Sequence, residues 1–175
     1  MKRLLLVLPL AAFVLILLTV GLGLQRPEQR PSQSRLVGKP VPAFAAPPMF
    51  PGRAGVSSSA LATGGPKLLN VFASWCVPCA AEAPSLLDLR RRGVRIEALA
   101  IRDKPDDVLG FLAEHGDPFA GIGNDRNSAA QLAFGSAGVP ETFVIDGRGI
   151  IRFQHIGPIL PRDVPMILQA LEAAR

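Results

Sequence analysis

The 175-residue chain has two cysteines, three positions apart, in the run Trp75-Cys76-Val77-Pro78-Cys79. A cross-link that short cannot tie distant parts of a fold together, so the pair belongs to no structural disulfide framework. Its surroundings constrain the chain further. Lys67–Ala73 (KLLNVFA), after Gly64-Gly65-Pro66, is short, apolar and bounded by turn residues, as a strand buried on both faces would be. Beyond the pair, AAEAPSLLDLRRRG places Ala80, Ala83, Leu86, Leu87 and Leu89 at helical spacing and stops at Gly93. The cysteines therefore sit where a buried strand gives way to a helix. At a helix N-terminus, unpaired N–H groups and the helix dipole favour an anion. Cys76 in that place would carry a raised thiolate fraction. Pro78 is tolerated because a first-turn residue needs no backbone donor. Cys79, about one turn in, should be less exposed and able to reach back. The chemistry this predicts is thiol–disulfide exchange: Cys76 attacks a disulfide, and Cys79 resolves the mixed disulfide.

Two other readings of the pair use the same residues. A zinc site would need four ligands, and without carboxylates only Cys76, Cys79, His115 and His155 could supply them. The histidines lie far outside the H-x₃₋₅-H spacing of zinc fingers, so no metal is expected. Two inert cysteines placed in a helix by chance are the other. Trp75 is either a packing aromatic or an exposed ring beside the thiol that shapes substrate contact.

The rest of the chain continues the alternation of strand and helix. Val94–Ile101 reads as a strand, Asp106–His115 as a helix between Pro105 and Gly116, and residues 126–134 as a short helix ended by Gly135. Glu141–Asp146 and Gly149–Ile156 are strands joined across Asp146-Gly147-Arg148-Gly149, a hairpin signal. Asp163–Arg175 closes the chain as a helix with Ile167, Leu168 and Leu171 on one face. The predicted class is α/β: a parallel pair of strands extended by an antiparallel hairpin, a central mixed β-sheet flanked by helices. Residues 44–66 are rich in Pro, Gly, Ser and Ala, and no element is assigned to them.

The N-terminus is different in kind. After Met1-Lys2-Arg3, Leu4–Leu24 is uncharged for 21 positions. As a helix it would reach roughly 30 Å, the thickness of a bilayer core. A cleaved signal peptide has a similar basic start, but its apolar region is shorter and ends in an A-x-A-like site, which TVGLGLQRPEQ lacks. Residues 1–24 are therefore expected to form one N-terminal transmembrane helix. Residues 25–38 would be a polar, proline-punctuated tether, and residues 39–175 the folded domain. Basic residues flank both ends of the span, so their count does not orient it. The short leader favours an inward N-terminus and a domain outside the cytoplasm.

Charge follows the same division. The formal net charge is +5, but six basic residues and one acid precede Pro40, and 13 of each follow it. The excess belongs to the apolar segment, where it suits anionic lipid headgroups. A nucleic-acid-binding domain would need a basic face of its own. None is indicated.

Three stretches carry a family resemblance: VGKPVPAF at 37–44, LLNVFASWCVPCAAEAP at 68–84 and GVPETFVIDGRGIIRFQHIGP at 138–158. Through WCVPC the chain resembles the thioredoxin superfamily, and through the combination with GVPETFVID it resembles the DsbE/CcmG family. These are thiol:disulfide interchange proteins of cytochrome c maturation, anchored in the bacterial inner membrane and facing the periplasm. The resemblance spans roughly residues 36–175 and implies a thioredoxin-like fold with a redox-active Cys76–Cys79 disulfide and no other cofactor. It implies that Pro140 follows a cis peptide bond, faces the cysteines and presents the Val139 backbone to an extended substrate segment. It also places Glu141 and Glu82 as acidic residues near the active site. Asn70 stands where thioredoxin carries a buried Asp, which removes an internal proton acceptor near the resolving thiol. Glu82 and Glu141 are the candidates to replace it; the alternative makes both of them solvated surface acids. The chain departs from the family at Phe134-Gly135-Ser136, where a Tyr-Gly-Val run is common. His115 and His155 match nothing catalytic.

The functional expectation is a membrane-anchored periplasmic thiol:disulfide oxidoreductase. It would reduce apocytochrome c, or the maturation protein that carries it, and be recharged by a membrane thiol electron donor. A broader extracytoplasmic thiol–disulfide oxidoreductase is the first alternative. A thioredoxin-fold copper chaperone is the second, disfavoured because such proteins typically use C-x-x-x-C with a distant histidine.

Overall fold

The computed structural model describes residues 12, 13, 15–18, 36–136 and 138–175. Two units are separable, Met1–Ser32 and Gln33–Arg175. In the first, residues 12, 13 and 15–18 are helical. The rest of the apolar run Leu4–Leu24, and residues 25–35 of the expected tether, lie outside the described residues. Among the described residues, no helix is long and apolar enough to cross a membrane.

The second unit runs β1 (Ala45–Ala46), β2 (Val56–Ser57), α1 (Ser58–Leu61), β3 (Lys67–Phe72), α2 (Val77–Arg91), β4 (Ile96–Ile101) and α3 (Pro105–His115). It continues with β5 (Gly121–Asp125), α4 (Ala129–Ala133), β6 (Glu141–Ile145), β7 (Ile151–Ile156) and α5 (Val164–Ala173). Five strands make one sheet in the order β5-β4-β3-β6-β7. β3, β4 and β5 are parallel, and β6 and β7 are antiparallel to their neighbours. The mixed sheet is as expected. The parallel pair, however, is a parallel trio.

The third parallel strand, β5, has the sequence GIGND, too rich in glycine to signal a strand. Its glycines answer to packing. A Cβ on Gly123 would lie 2.7 Å from the Ala46 Cβ, and one on Gly121 would lie 2.6 Å from the Glu97 carboxylate. The small β1–β2 hairpin thus lies against β5 because that strand offers bare backbone.

Residues 36–54, which carry no strong pattern, cover both edges of the sheet. Gly38 N donates to Ile151 O (2.7 Å), and Ile151 N donates to Lys39 O (3.0 Å), on the β7 side. On the β5 side, Met49 N donates to Ile122 O (2.9 Å), and Ile122 N donates to Ala54 O (3.0 Å). An unpaired strand edge invites association with other chains, and this segment blunts both.

The core has two layers. Phe72, on the α2 face of β3, packs against Phe111 of α3 and Phe119, with ring centroids 5.7 and 4.9 Å away. On the opposite face Phe143 meets Phe134 at 5.0 Å, and Phe134 meets Phe44 at 5.5 Å. Each buried phenylalanine contributes roughly 1.5–3 kcal/mol in apolar burial. Lys67 is the exception inside buried β3. Its Nζ donates to the carbonyls of Leu61 (2.9 Å) and Thr63 (2.6 Å) at the end of α1, and burial holds its pKa below the usual lysine range.

Candidate active site

The C-terminal end of β3 leads through Ala73, Ser74 and Trp75 to Cys76, the N-cap of α2. Cys76 has an extended backbone (φ −92°, ψ 103°), and its sulfur accepts the Cys79 N–H at 3.2 Å. The sulfur thus occupies the place an N-cap oxygen takes in other helices, meeting one of the unpaired first-turn donors. Pro78 lies in that first turn, where its missing N–H costs nothing. Cys76 and Cys79 are joined in a disulfide, with Cα atoms 5.2 Å apart. Both are buried, Cys76 at 5% exposure and Cys79 at 2%. The expected difference in exposure is present but small. Trp75 (56% exposed) and Val77 (81% exposed) stand out on either side. Trp75 is therefore no packing aromatic; its ring lies open, with Nε1 3.4 Å from the Arg102 carbonyl.

Behind Cys79 lies a closed polar cluster. Glu82, three residues further along α2, is fully buried. One of its oxygens accepts Asn70 Nδ2 at 2.9 Å, and the other accepts the Ile159 N–H at 2.9 Å. Asn70 Nδ2 also donates to Thr142 Oγ1 at 3.0 Å, across the β3–β6 register that pairs the two residues. Burial penalises the charged form of Glu82 more than these two bonds favour it, and its pKa is pushed up to about 7. Asn70, Phe72, Cys79 and Glu82 line one narrow seam together with Pro118 and Phe119. The reading of Glu82 as a solvated surface acid fails here. The periodicity of α2 turns position 82 inward, beside Cys79 and Ala83.

Glu141 is buried as well, at 3% exposure, with Gln154 Nε2 donating to its carboxylate. The surface alternative fails for it too, but its location differs. Successive residues of a strand point to opposite faces. Thr142 meets Asn70 on the α2 face, so Glu141 projects toward the face that holds Phe143. The two glutamates lie on opposite sides of the sheet. Pro140, just before β6, follows a cis peptide bond from Val139 and is buried, and its carbonyl accepts the Gly157 N–H at 3.0 Å. Because Glu141 pairs with Val71, Pro140 falls at the end of the sheet from which Cys76 emerges.

One residue the sequence reading passed over holds the approach to Cys76. Asp103, 5% exposed, lies just past β4. Its carboxylate accepts the Ser74 N–H at 2.6 Å, the Ser74 hydroxyl at 2.7 Å and the Lys104 N–H at 3.0 Å. Neighbouring Arg102, at φ 46°, presents the carbonyl facing Trp75 and donates from Nε to Ser128 Oγ at 3.0 Å. The two residues before the nucleophile position are thus pinned by the loop after the next strand. Only the parallel β3–β4 pairing could have signalled this, since it brings the two strand ends together. His115 packs edge-on to Phe111 at 4.8 Å, and His155 Nε2 lies 3.3 Å from the Pro158 carbonyl. Neither belongs to the cysteine site. Among the described residues, no three His, Cys, Asp or Glu side chains converge as a metal site.

Residues 36–171 match the Redoxin family. The thiol:disulfide interchange protein HelX of Rhodobacter capsulatus is 39% identical over 143 residues, covering 80% of this chain and 81% of its own. The thiol:disulfide interchange protein DsbE of Escherichia coli K12 is 36% identical over 166 residues, covering 93% of this chain and 90% of its own. Among solved structures, a thiol:disulfide interchange protein DsbE from Chlorobium tepidum superposes with TM-score 0.64 at 28% identity. The match covers 79% of this chain and 96% of that one. The thioredoxin domain of a Bacteroides vulgatus thiol-disulfide oxidoreductase gives TM-score 0.65 at 16% identity, over 79% and 98% of the two chains, a likeness of fold.

Proposed function

The chain belongs to the DsbE/CcmG family of thiol:disulfide interchange proteins, and from that premise we propose that it reduces apocytochrome c, or the maturation protein that carries it, at the periplasmic face of the bacterial inner membrane. The observation that carries the reading is the Cys76–Cys79 disulfide at the N-terminus of α2, in a chain with no other cysteine. Leu4–Leu24 is the proposed anchor, in contact with inner-membrane lipid, and residues 25–35 the proposed tether, shorter than the expected 25–38 because Gly38 already pairs with β7. The redox-active disulfide is the proposed sole cofactor.

In the proposed cycle a membrane thiol donor reduces the pair. The Cys76 thiolate then attacks one sulfur of the substrate disulfide. That S–S bond breaks, a mixed disulfide forms, and the departing substrate sulfur takes a proton. Cys79 gives up its proton and attacks the Cys76 sulfur, which expels the second substrate sulfur as a thiolate that takes a proton from solvent, and closes the Cys76–Cys79 bond. Glu82 accepts that proton in the proposed cycle, a role supported by its pKa of about 7 and by the seam it shares with Cys79. Asn70 fixes the Glu82 carboxylate, Pro140 and the Val139 backbone border the approach, and Trp75 offers an open aromatic surface to the incoming segment. Glu141, buried on the other face and held by Gln154, is given no part in the proton transfer.

Replacing Cys79 with Ser stops the cycle at the mixed disulfide. Expressed in intact membranes, Cys79→Ser protein should accumulate a covalent adduct through Cys76 that dithiothreitol releases. Recovery of a c-type apocytochrome or its carrier supports the reading. Adducts spread over many unrelated envelope proteins would replace it with a broad reductase, and adducts through no cysteine would overturn the roles of the pair.

A further inference from the structure

Three buried side-chain acceptors lack a hydrogen-bond partner among the described residues: Asn70 Oδ1, Asn124 Oδ1 and Gln131 Oε1. The last two belong to β5 and α4. Asn70 is the one that shares a seam with a redox cysteine, Cys79. Its residue is fully buried, so bulk solvent does not reach the oxygen. The amide cannot turn freely to relieve it, because Nδ2 is committed on one side to Glu82 at 2.9 Å and on the other to Thr142 at 3.0 Å. The orphan oxygen is therefore held in place in a protein whose disulfide is closed.

A disulfide sulfur has no proton to offer, whereas a thiol does. Reduction by a partner dithiol breaks the Cys76–Cys79 bond and brings in two electrons and the protons the partner releases, while the partner closes its own disulfide. The less exposed Cys79 then becomes an S–H donor in the same seam as the unpaired oxygen. We propose that Asn70 is a redox-dependent positioning residue: its Oδ1 accepts the Cys79 S–H in the reduced protein and stands unpaired in the oxidised one. This deepens the exchange reading of the pair and rests on it. Two consequences follow. The bond keeps a proton on Cys79, so that Cys76 is the sulfur that ionises. It also favours the reduced form, since an unmet buried acceptor burdens only the oxidised one.

The S–H stretching band reports the bond directly, because it falls to lower frequency when the thiol donates. Cys76→Ser protein has a single thiol, on Cys79, and its infrared band should be down-shifted from that of a free alkyl thiol. Adding Asn70→Leu should return the band to the free-thiol position, and adding Asn70→Asp, which keeps an acceptor, should leave it low. With both cysteines present, Asn70→Leu should shift the equilibrium with glutathione about tenfold toward the disulfide, equivalent to about 30 mV. A free-thiol band in the Cys76→Ser protein overturns the proposal by itself, whether or not the leucine variant folds. So does a band or a redox equilibrium that ignores the leucine substitution. Failure of the exchange reading shows separately, as Cys79→Ser protein that forms no mixed disulfide through Cys76.

Discussion

The two sulfurs of the disulfide are held by opposite strategies. Behind Cys79, the carboxylate of Glu82 is sealed among Asn70, Thr142 and the Ile159 amide, where burial outweighs hydrogen bonding and lifts its pKa to about 7. Before Cys76, the carboxylate of Asp103 accepts three donors, two from Ser74 in the loop that leads to Trp75 and one from the Lys104 N–H. Both acids are buried and both lie within one loop or helical turn of the cysteine pair. One is arranged to change protonation and the other to hold backbone. Burial of a carboxylate therefore does not reveal its role. The groups it is bonded to do.

The largest predicted effect tests the titrating side. Folded Glu82 holds its proton up to about pH 7, whereas its ordinary value is 4.5. Between those values the folded chain binds the extra proton, so this group stabilises most below pH 4.5, and its contribution is lost as the pH rises through 7. The full span corresponds to about 3 kcal/mol. Urea denaturation of the oxidised protein at pH 5 and pH 8 should show most of it, and Glu82→Gln should remove that dependence. Parallel pH profiles for the two proteins would return Glu82 to the class of static buried acids.

The holding side should respond through loss of contacts instead. Asp103→Ala removes the acceptor for two backbone amides and one hydroxyl and should cost about 2 kcal/mol. Exchange of the cysteine pair with oxidised glutathione should slow with it, because Ser74 and Trp75 lose their anchor. Asp103→Asn keeps one acceptor oxygen and should recover part of both losses. An alanine variant as stable and as active as wild type would mean that the 2.6 and 2.7 Å contacts to Ser74 are incidental to the loop.

Much of this site is legible in the sequence wherever its information is local. The strand before WCVPC, the helix after it and the N-cap position of Cys76 follow from an apolar run, a proline and helical spacing, all within 25 residues. Family resemblance places Pro140 and Glu82 near the pair, and the burial of Glu82 follows from its position on the Ala83–Leu86 face of α2. Strand β5 could not be read, because its glycines answer to Ala46 and Glu97, far away in the chain. The edge-covering role of residues 36–54 is hidden for the same reason, since their partners are backbone groups. Asp103 and the separation of Glu82 from Glu141 depend on sheet register: the first needs β3 beside β4, and the second needs Thr142 opposite Asn70.

The smallest stability effect belongs to the residue that most separates holding from recognition. Trp75 has over half its surface open and a single long contact to the Arg102 carbonyl. Trp75→Ala should therefore change stability by no more than about 0.5 kcal/mol, the range of surface substitutions without special contacts. Its effect on exchange should depend on the substrate. A small disulfide such as oxidised glutathione reaches the sulfur without needing the ring and should react at nearly the wild-type rate. A protein disulfide, which must lay a segment across the same surface, should react several-fold more slowly, with the loss in apparent KM rather than kcat. Equal losses on both substrates would place Trp75 with Asp103, as part of the support for Cys76. A loss confined to the protein substrate assigns the open ring to recognition and leaves the fixing of the loop to Ser74 and Asp103.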